Sequence, residues 1–419
     1  MRFEMSHEAP TNEPAIDRPP VTADVAPPTV DVEGTPQTRI GRFRLPTTTL
    51  RAYTMLFALV VIWLFLQLAT ISETHPYGLF LDPVNFSKLL KQTAVTGILA
   101  VGMLMVIVAG QIDLSVGSVV GLAGGIAALT QGWGLGPSLA SAIVVGLVIG
   151  AIHGSLVAYA NIPAFIVTLG GLLAWRGVVL WRMKGATVTI ELPVFRSIGE
   201  GFVAPVAGIA LAVLAIAALA FLTFRRNSAR RRHGLTVAGT GAAVARVLIP
   251  SIVIAVFIYM MNTQGGVPIP VFVFLTVALI GAFLTQNTTF GRYLYAVGGN
   301  PDAARLSGIS LRGHILAAFC VMGALSGLAA LVYTARNGSA AGDAGTLMEL
   351  DAIAACVIGG TSLMGGRGTV FGACLGALIM ASLDNGMSLL NVENNVQLIV
   401  KGAVLVAAVG FDMLGRQRT

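Results

Sequence analysis

The chain has 419 residues, of which 55% are hydrophobic and only 11% charged, and its mean hydropathy is +0.82. A soluble domain carries about 25% charged residues. So small a polar share cannot coat a globule, which excludes a soluble enzyme or binding domain and leaves an all-α polytopic membrane protein. The formal net charge of +7 gathers in short stretches beside apolar runs, as in the cytoplasmic loops of membrane proteins, and does not mark a nucleic-acid-binding face.

Residues 1–45 come first, as a tail expected to be disordered and cytoplasmic. Its first forty residues hold seven of the 18 prolines and seven of the 19 acidic residues, with few aliphatics. They show no charged start running directly into an apolar stretch, so no cleaved signal peptide is expected there. From 46 to 419 the sequence reads as one transmembrane domain. A helix needs about 20 apolar residues to cross the hydrocarbon core, and twelve candidates follow: 52–70, 91–109, 114–131, 137–158, 164–181, 202–224, 245–262, 268–286, 315–335, 351–363, 369–390 and 396–413. The third and tenth are short, so ten to twelve transmembrane helices are expected.

With twelve, both termini share one side. The basic stretch from Arg39 to Arg51, the basic loop 225–246 that begins "RRNSARRRH", the loop 287–314 and the tail "GRQRT" share it too. Positive charge makes that side cytoplasmic, and the acidic segments around Glu73 to Asp82, Asp343 to Asp351 and Glu393 fall opposite.

Two of the spans are interrupted. "VAGQIDLSVGSVVGLAGG" (108–125) sets Asp113 and two serines among glycines, and "CVIGGTSLMGGRGTVFGACLGA" (356–377) has five glycines within 359–368 and an arginine at 367. Non-helical backbone at membrane depth must be buried in protein or line a wet cavity, and such interruptions in the two halves of a transporter mark its pathway. Ordinary loops at the bilayer edge are the alternative. A faint internal repeat, 153–174 on 385–406 without gaps, aligns Gly170 with Gly402 and runs in opposite directions across the membrane, as an inverted repeat would.

The loop 287–314 contains "GGNPDAARLSGIS" (298–310). Asn300 is an N-cap residue, Pro301 suits the first helical position and Asp302 opposes the positive end of the helix dipole. Ala303, Ala304, Arg305 and Leu306 favour helix, and Gly308 suits the left-handed residue that ends one. About two turns of helix are therefore encoded, too few to be stable alone, which makes sense if something docks on them. An amphipathic lid on the membrane surface is the alternative.

The pattern acid-Ala-Ala-x-x-x-Gly, Asp302-Ala303-Ala304 to Gly308, resembles the cytoplasmic loop motif of ABC importer permeases. "FGRYLYAVGGNPDAARLSGI" (290–309), "GQIDLSVGS" (110–118) and "ELDAIAACVIGGTSLMGGRGTVFGA" (349–373) are similar to the sugar branch of that family, which serves ribose, arabinose, galactosides and xylose. "IMASLDNGMSLLNV" (379–392) and the basic segment 225–246 look closest to its xylose members, whereas Gln111 stands where many members have a glycine or an acid.

The resemblance implies an importer permease fold and a transport subunit for a monosaccharide, D-xylose foremost, with ribose or arabinose as alternatives. It implies that Asn300, Pro301, Asp302, Ala303, Ala304, Arg305 and Gly308 form a coupling helix seated in a separate ATPase subunit, which holds the ATP and magnesium. A paired permease copy, a separate periplasmic sugar-binding protein and an inner-membrane location follow from it as well. For the sugar path, Asp113, Ser115, Ser118, Thr361, Ser362 and Asn385 are the expected lining, with Asp384 paired or cavity-facing because charge at membrane depth is costly. For Asp113, capping the helix begun at Leu114 is an equal alternative.

The sequence carries no G-x-x-x-x-G-K-[ST], H-E-x-x-H, Cys-x-x-Cys or G-x-S-x-G, so no ATPase or hydrolytic site is expected in this chain. Cys320, Cys356 and Cys374 read as buried hydrophobes, and His153 as a hydrogen-bonded helix residue. An ion-coupled secondary transporter would share the interrupted spans, but has no evident use for the capped helix.

Overall fold

The computed structural model describes residues 37–40, 43–73, 75–232 and 240–416. By its contacts the chain divides into residues 1–51 and 52–419. In the first unit, β1 (Gln37–Ile40) and β2 (Phe43–Pro46) form an antiparallel hairpin, with Thr38 opposite Leu45. The tail expected to be disordered over 1–45 is therefore strand in its last described residues. Ile40, Phe43 and Leu45 set among Arg39, Arg42 and Arg44 carry enough alternation for two short strands. Residues 1–36 lie outside the described part.

Helix α1 (Thr47–Ala69) is followed by α2 (Pro83–Val108), α3 (Val116–Thr130) with a closing 3-10 turn at Gln131–Trp133, α4 (Leu135–Ala158) and α5 (Ala164–Met183). Next come β3 (Val188–Thr189), α6 (Pro193–Glu200), β4 (Phe202–Val203), α7 (Pro205–Arg232), α8 (Thr240–Asn262), β5 (Val267–Pro268) and α9 (Ile269–Asn287). The chain ends with α10 (Thr289–Gly299), α11 (Pro301–Leu306), α12 (Leu311–Asn337), β6 (Ser339–Ala340), α13 (Met348–Ile358), α14 (Val370–Leu389) and α15 (Asn394–Arg416). Among the described residues nine helices are long and apolar enough to cross a membrane, and the apolar stretches Tyr53–Ala69 and Asn394–Gly410 add two shorter ones.

Eleven of the twelve expected spans fall on these helices. The tenth, 351–363, is α13, whose 11 residues rise about 16 Å, half of a core about 30 Å thick. Gly359 packs on Gly372, and Gly376 on Ala355, so α13 runs antiparallel to α14 and stops level with its first turn. Irregular backbone replaces the missing helix before α13, where Gly345 lies against Gly117 at the start of α3. That backbone is tolerated because it is enclosed by protein.

Burial orders the helices from centre to rim. The apolar window of α2 is 83% buried, those of α7 and α8 only 6%. The α2 helix packs against α9, α10, α12, α13 and α14, while α7 and α8 pack mainly on each other. At the foot of that α7–α8 hairpin β4 pairs antiparallel with β5, Val203 opposite Val267. A second pairing, β3 with β6, ties the segment after α5 to the end of α12 at the same end of the helices.

The α4 and α12 helices cross with their backbones in contact over several turns. A Cβ on Gly323 would lie 2.1 Å from the Gly146 carbonyl oxygen, and one on Gly327 2.4 Å from that of Ala142. Lipid tails are as apolar as leucine, so transmembrane helices associate by such close packing of small residues.

Candidate coupling and translocation site

The six-residue helix α11 is capped at both ends. Asn300 Oδ1 accepts from the Ala303 backbone N–H at 3.0 Å, and Pro301 occupies the first helical position. At the other end the N–H groups of Gly308 and Ile309 donate back to the carbonyls of Arg305 and Ala304, each at 3.0 Å, with Gly308 at φ +79°. This pair of hydrogen bonds is the Schellman ending that favours glycine. Ala304 faces inward, while Asp302, Ala303 and Arg305 are exposed and Leu306 is 89% exposed. A leucine held out on a short helix capped at both ends is a ready contact for a partner groove.

This helix joins the interrupted spans directly through α10. Gly298, two residues before Asn300, meets the end of α2 so closely that a Cβ there would lie 1.8 Å from the Val108 carbonyl oxygen. That same carbonyl accepts from the Gly366 N–H at 2.9 Å. A Cβ on Gly365 would sit 3.0 Å from Gly110 Cα, and one on Gly366 2.6 Å from Gly299 Cα. The Tyr295 hydroxyl of α10 donates to the Gly368 carbonyl at 2.8 Å. The two glycine-rich breaks, 109–115 and 359–369, thus meet at one end of the molecule, with the capped helix attached to both.

The expected path residues separate into two groups. Near the break after α2, Asp113 Oδ1 accepts from the Ser115 N–H at 2.8 Å and from its hydroxyl at 2.6 Å. The Ser115 hydroxyl lies 3.2 Å from His153 Nδ1, and the Trp175 indole donates to His153 Nε2 at 3.0 Å. An indole N–H only donates, so Nε2 accepts and the imidazole proton sits on Nδ1. The result is a directed chain, Trp175 to His153 to Ser115 to Asp113, in which Asp113, Ser115 and His153 are buried. Ser118 donates to the Leu172 carbonyl at 2.8 Å, and Thr361 and Ser362 are buried in the second break. Asn385 lies 15 residues along α14 from its start, about 22 Å away, and exchanges two hydrogen bonds with Asn85.

The geometry of Asp113 predicts that Asp113→Asn, which keeps an acceptor for Ser115, leaves thermal stability of the purified protein nearly unchanged. Asp113→Ala strands two buried donors and should cost about 1–3 kcal/mol, read as a lowered melting temperature.

The profile of the family described as "Branched-chain amino acid transport system / permease component" matches residues 85–409. The chain belongs to this permease family. Xylose transport system permease proteins of Haemophilus influenzae and Escherichia coli are 41% and 42% identical to it, over 90% of the chain and 100% and 95% of their own lengths. A ribose import permease protein of Escherichia coli is 35% identical, over 90% of the chain and 98% of its length. No solved structure matches.

One charged residue of the permease escaped the sequence reading. Lys401 lies inside α15, and its Nζ is 3.2 Å from Asp351 of α13 and 2.9 Å from Asp384 of α14. The signal was available, since a lysine amid an apolar span needs a partner, and Asp384 was already singled out. The gapless alignment of 153–174 on 385–406 places Asn161 on Glu393. Both helix hairpins, α4–α5 and α14–α15, turn through an asparagine at φ 54°, Asn161 and Asn391, two residues away from the gapless alignment.

Proposed function

We propose that this permease is the membrane subunit of an ATP-binding-cassette importer that carries D-xylose from a periplasmic binding protein across the inner membrane. The observation that carries the substrate is the gap in similarity over the same span of chain, 41–42% to xylose permeases against 33–35% to ribose permeases. The coupling role rests on α11. An ATPase subunit would receive the exposed Leu306 and the Asp302 to Arg305 turn, and would hold the ATP and magnesium itself. Its movement would pass through Gly298 and Tyr295 to the two glycine-rich breaks. Two copies of the chain form the path in this reading, with both termini, α11 and the basic 225–246 segment cytoplasmic. Nucleotide then shifts the population between inward-open and outward-open states by its differential affinity for them.

The test uses proteoliposomes holding the permease with its ATPase. ATP hydrolysis is compared with the binding protein loaded with D-xylose, ribose or arabinose, and unloaded. Stimulation several-fold greater with D-xylose is expected. Equal stimulation by ribose would remove the xylose assignment, and sugar uptake driven by an imposed proton gradient without any ATPase would remove the importer.

A further inference from the structure

A cavity of about 230 Å³ lies between α13, α14 and α15, lined by Leu347, Leu350, Ala354, Met380, Leu398 and Leu405 together with Asp351, Lys401 and Gly402. About 15 Å³ suffices for one water, so this is space for a small molecule. None of the six residues expected to line the sugar path borders it. Its depth is given by helix register. Asp351 stands level with Met380, halfway along α14, and Lys401 is seven residues into α15, which places the cavity near the middle of the membrane.

The chemistry of the wall is specific. Lys401 bridges two carboxyl groups, Asp351 and Asp384, at a depth where each charge is costly. The other Asp384 oxygen, Oδ1, is buried without a hydrogen-bond partner. Within the importer reading above, on which this inference rests, we propose that the cavity is a monosaccharide-binding site of the permease. The Asp351 carboxylate accepts from sugar hydroxyls, Lys401, held from behind by Asp384, donates to others, and the leucines cover the C–H face of the ring. A bare cation is the wrong ligand because the lysine ammonium already takes the position between the two carboxylates. A neutral polyol, offering donors and acceptors together, matches both parts of the wall. The bond count is small and the site half apolar, which suits a station on a path where tight binding would slow release.

Gly402 supplies a clean probe. No atom lies within 4 Å of a Cβ built there, and leucine is a better helix former than glycine by most of 1 kcal/mol. Gly402→Leu should therefore fill the cavity without breaking the fold. In proteoliposomes of the whole complex, Gly402→Leu is expected to lower D-xylose delivered per ATP hydrolysed at least tenfold, while stimulation of hydrolysis by loaded binding protein persists. Gly402→Ala should raise the half-saturating sugar-loaded binding-protein concentration or lower uptake several-fold, and Asp351→Asn should lower uptake with hydrolysis retained. Wild-type uptake by Gly402→Leu, or by Gly402→Ala should the leucine variant fail to assemble, would overturn the site and leave the cavity a packing space. A wild-type complex that imports no pentose would instead overturn the importer reading.

Discussion

Leu306→Asp should abolish sugar uptake, by a factor of ten or more, while leaving the amount of protein in the membrane and its melting temperature unchanged. The side chain is 89% exposed, so the substitution removes almost no intramolecular contact. What it removes is an apolar knob at the tip of a helix held rigid at both ends, and a charge there would have to be desolvated in any apolar groove receiving it. Gly308→Val attacks the same helix from its ending. A Cβ at 308 meets nothing within 4 Å, yet φ is +79°, and forcing a β-branched residue into that region costs about 1–2 kcal/mol, enough to unwind the last turn. Asp302→Lys reverses the charge at the helix start and should act in the same direction. Arg226→Ala in the basic segment is the control, expected to alter uptake less than twofold. Near-normal transport by Leu306→Asp and Gly308→Val together would remove α11 from the coupling path.

Gly323→Val should strongly destabilise the folded protein. The added Cβ would stand 2.1 Å from the carbonyl oxygen of Gly146, and the reciprocal change at Gly146 would put a Cβ 2.0 Å from that of Gly323. Neither contact can be relieved by turning a side chain, because both partners are backbone. Overpacking of this kind costs about 1–3 kcal/mol, occasionally more. Here it would push α4 and α12 apart along a crossing that also relies on Gly150 against Phe319 and Gly327 against Ala142. A melting temperature lowered by several degrees and loss of the single peak in size-exclusion chromatography are expected. Gly132→Ala, where a Cβ meets nothing, serves as the control. An unchanged melting temperature for Gly323→Val would show that the crossing can open at little cost.

Much of this fold was legible because bilayer thickness, helix rise and capping chemistry act locally. Eleven spans could be read from apolar length, and α11 from Asn300, Pro301 and Gly308, each of which has one dominant backbone role. The half-length α13 was hard to read at its start, because the chain before Met348 shows no stop signal that reveals how deep in the membrane the helix begins; its end is marked by Gly359 and Gly360. The strands β3 to β6 have two residues each, too few for any alternation to register. Within the site, the glycines of 359–368 marked a break correctly, but not that Gly366 would bond Val108. The polar residues chosen for the path were chosen by type, and type says nothing about whether a serine faces a cavity or, like Ser118, a carbonyl of the next helix. Lys401 was the opposite case, a clear local anomaly whose meaning depends on partners 17 and 50 positions away, Asp384 and Asp351.

The β4–β5 pairing at the foot of the α7–α8 hairpin makes that pair of helices a removable cassette. The chain leaves the main bundle at Val203 and returns beside it at Val267, so a link of a few residues could close the gap. Because the cassette contains an outbound and a returning helix, its gain or loss leaves the direction of every later segment as it was, α11 included. A lineage of permeases could acquire or shed it in one genetic step, and the Arg-rich end of α7 could diversify without disturbing the machinery at the centre.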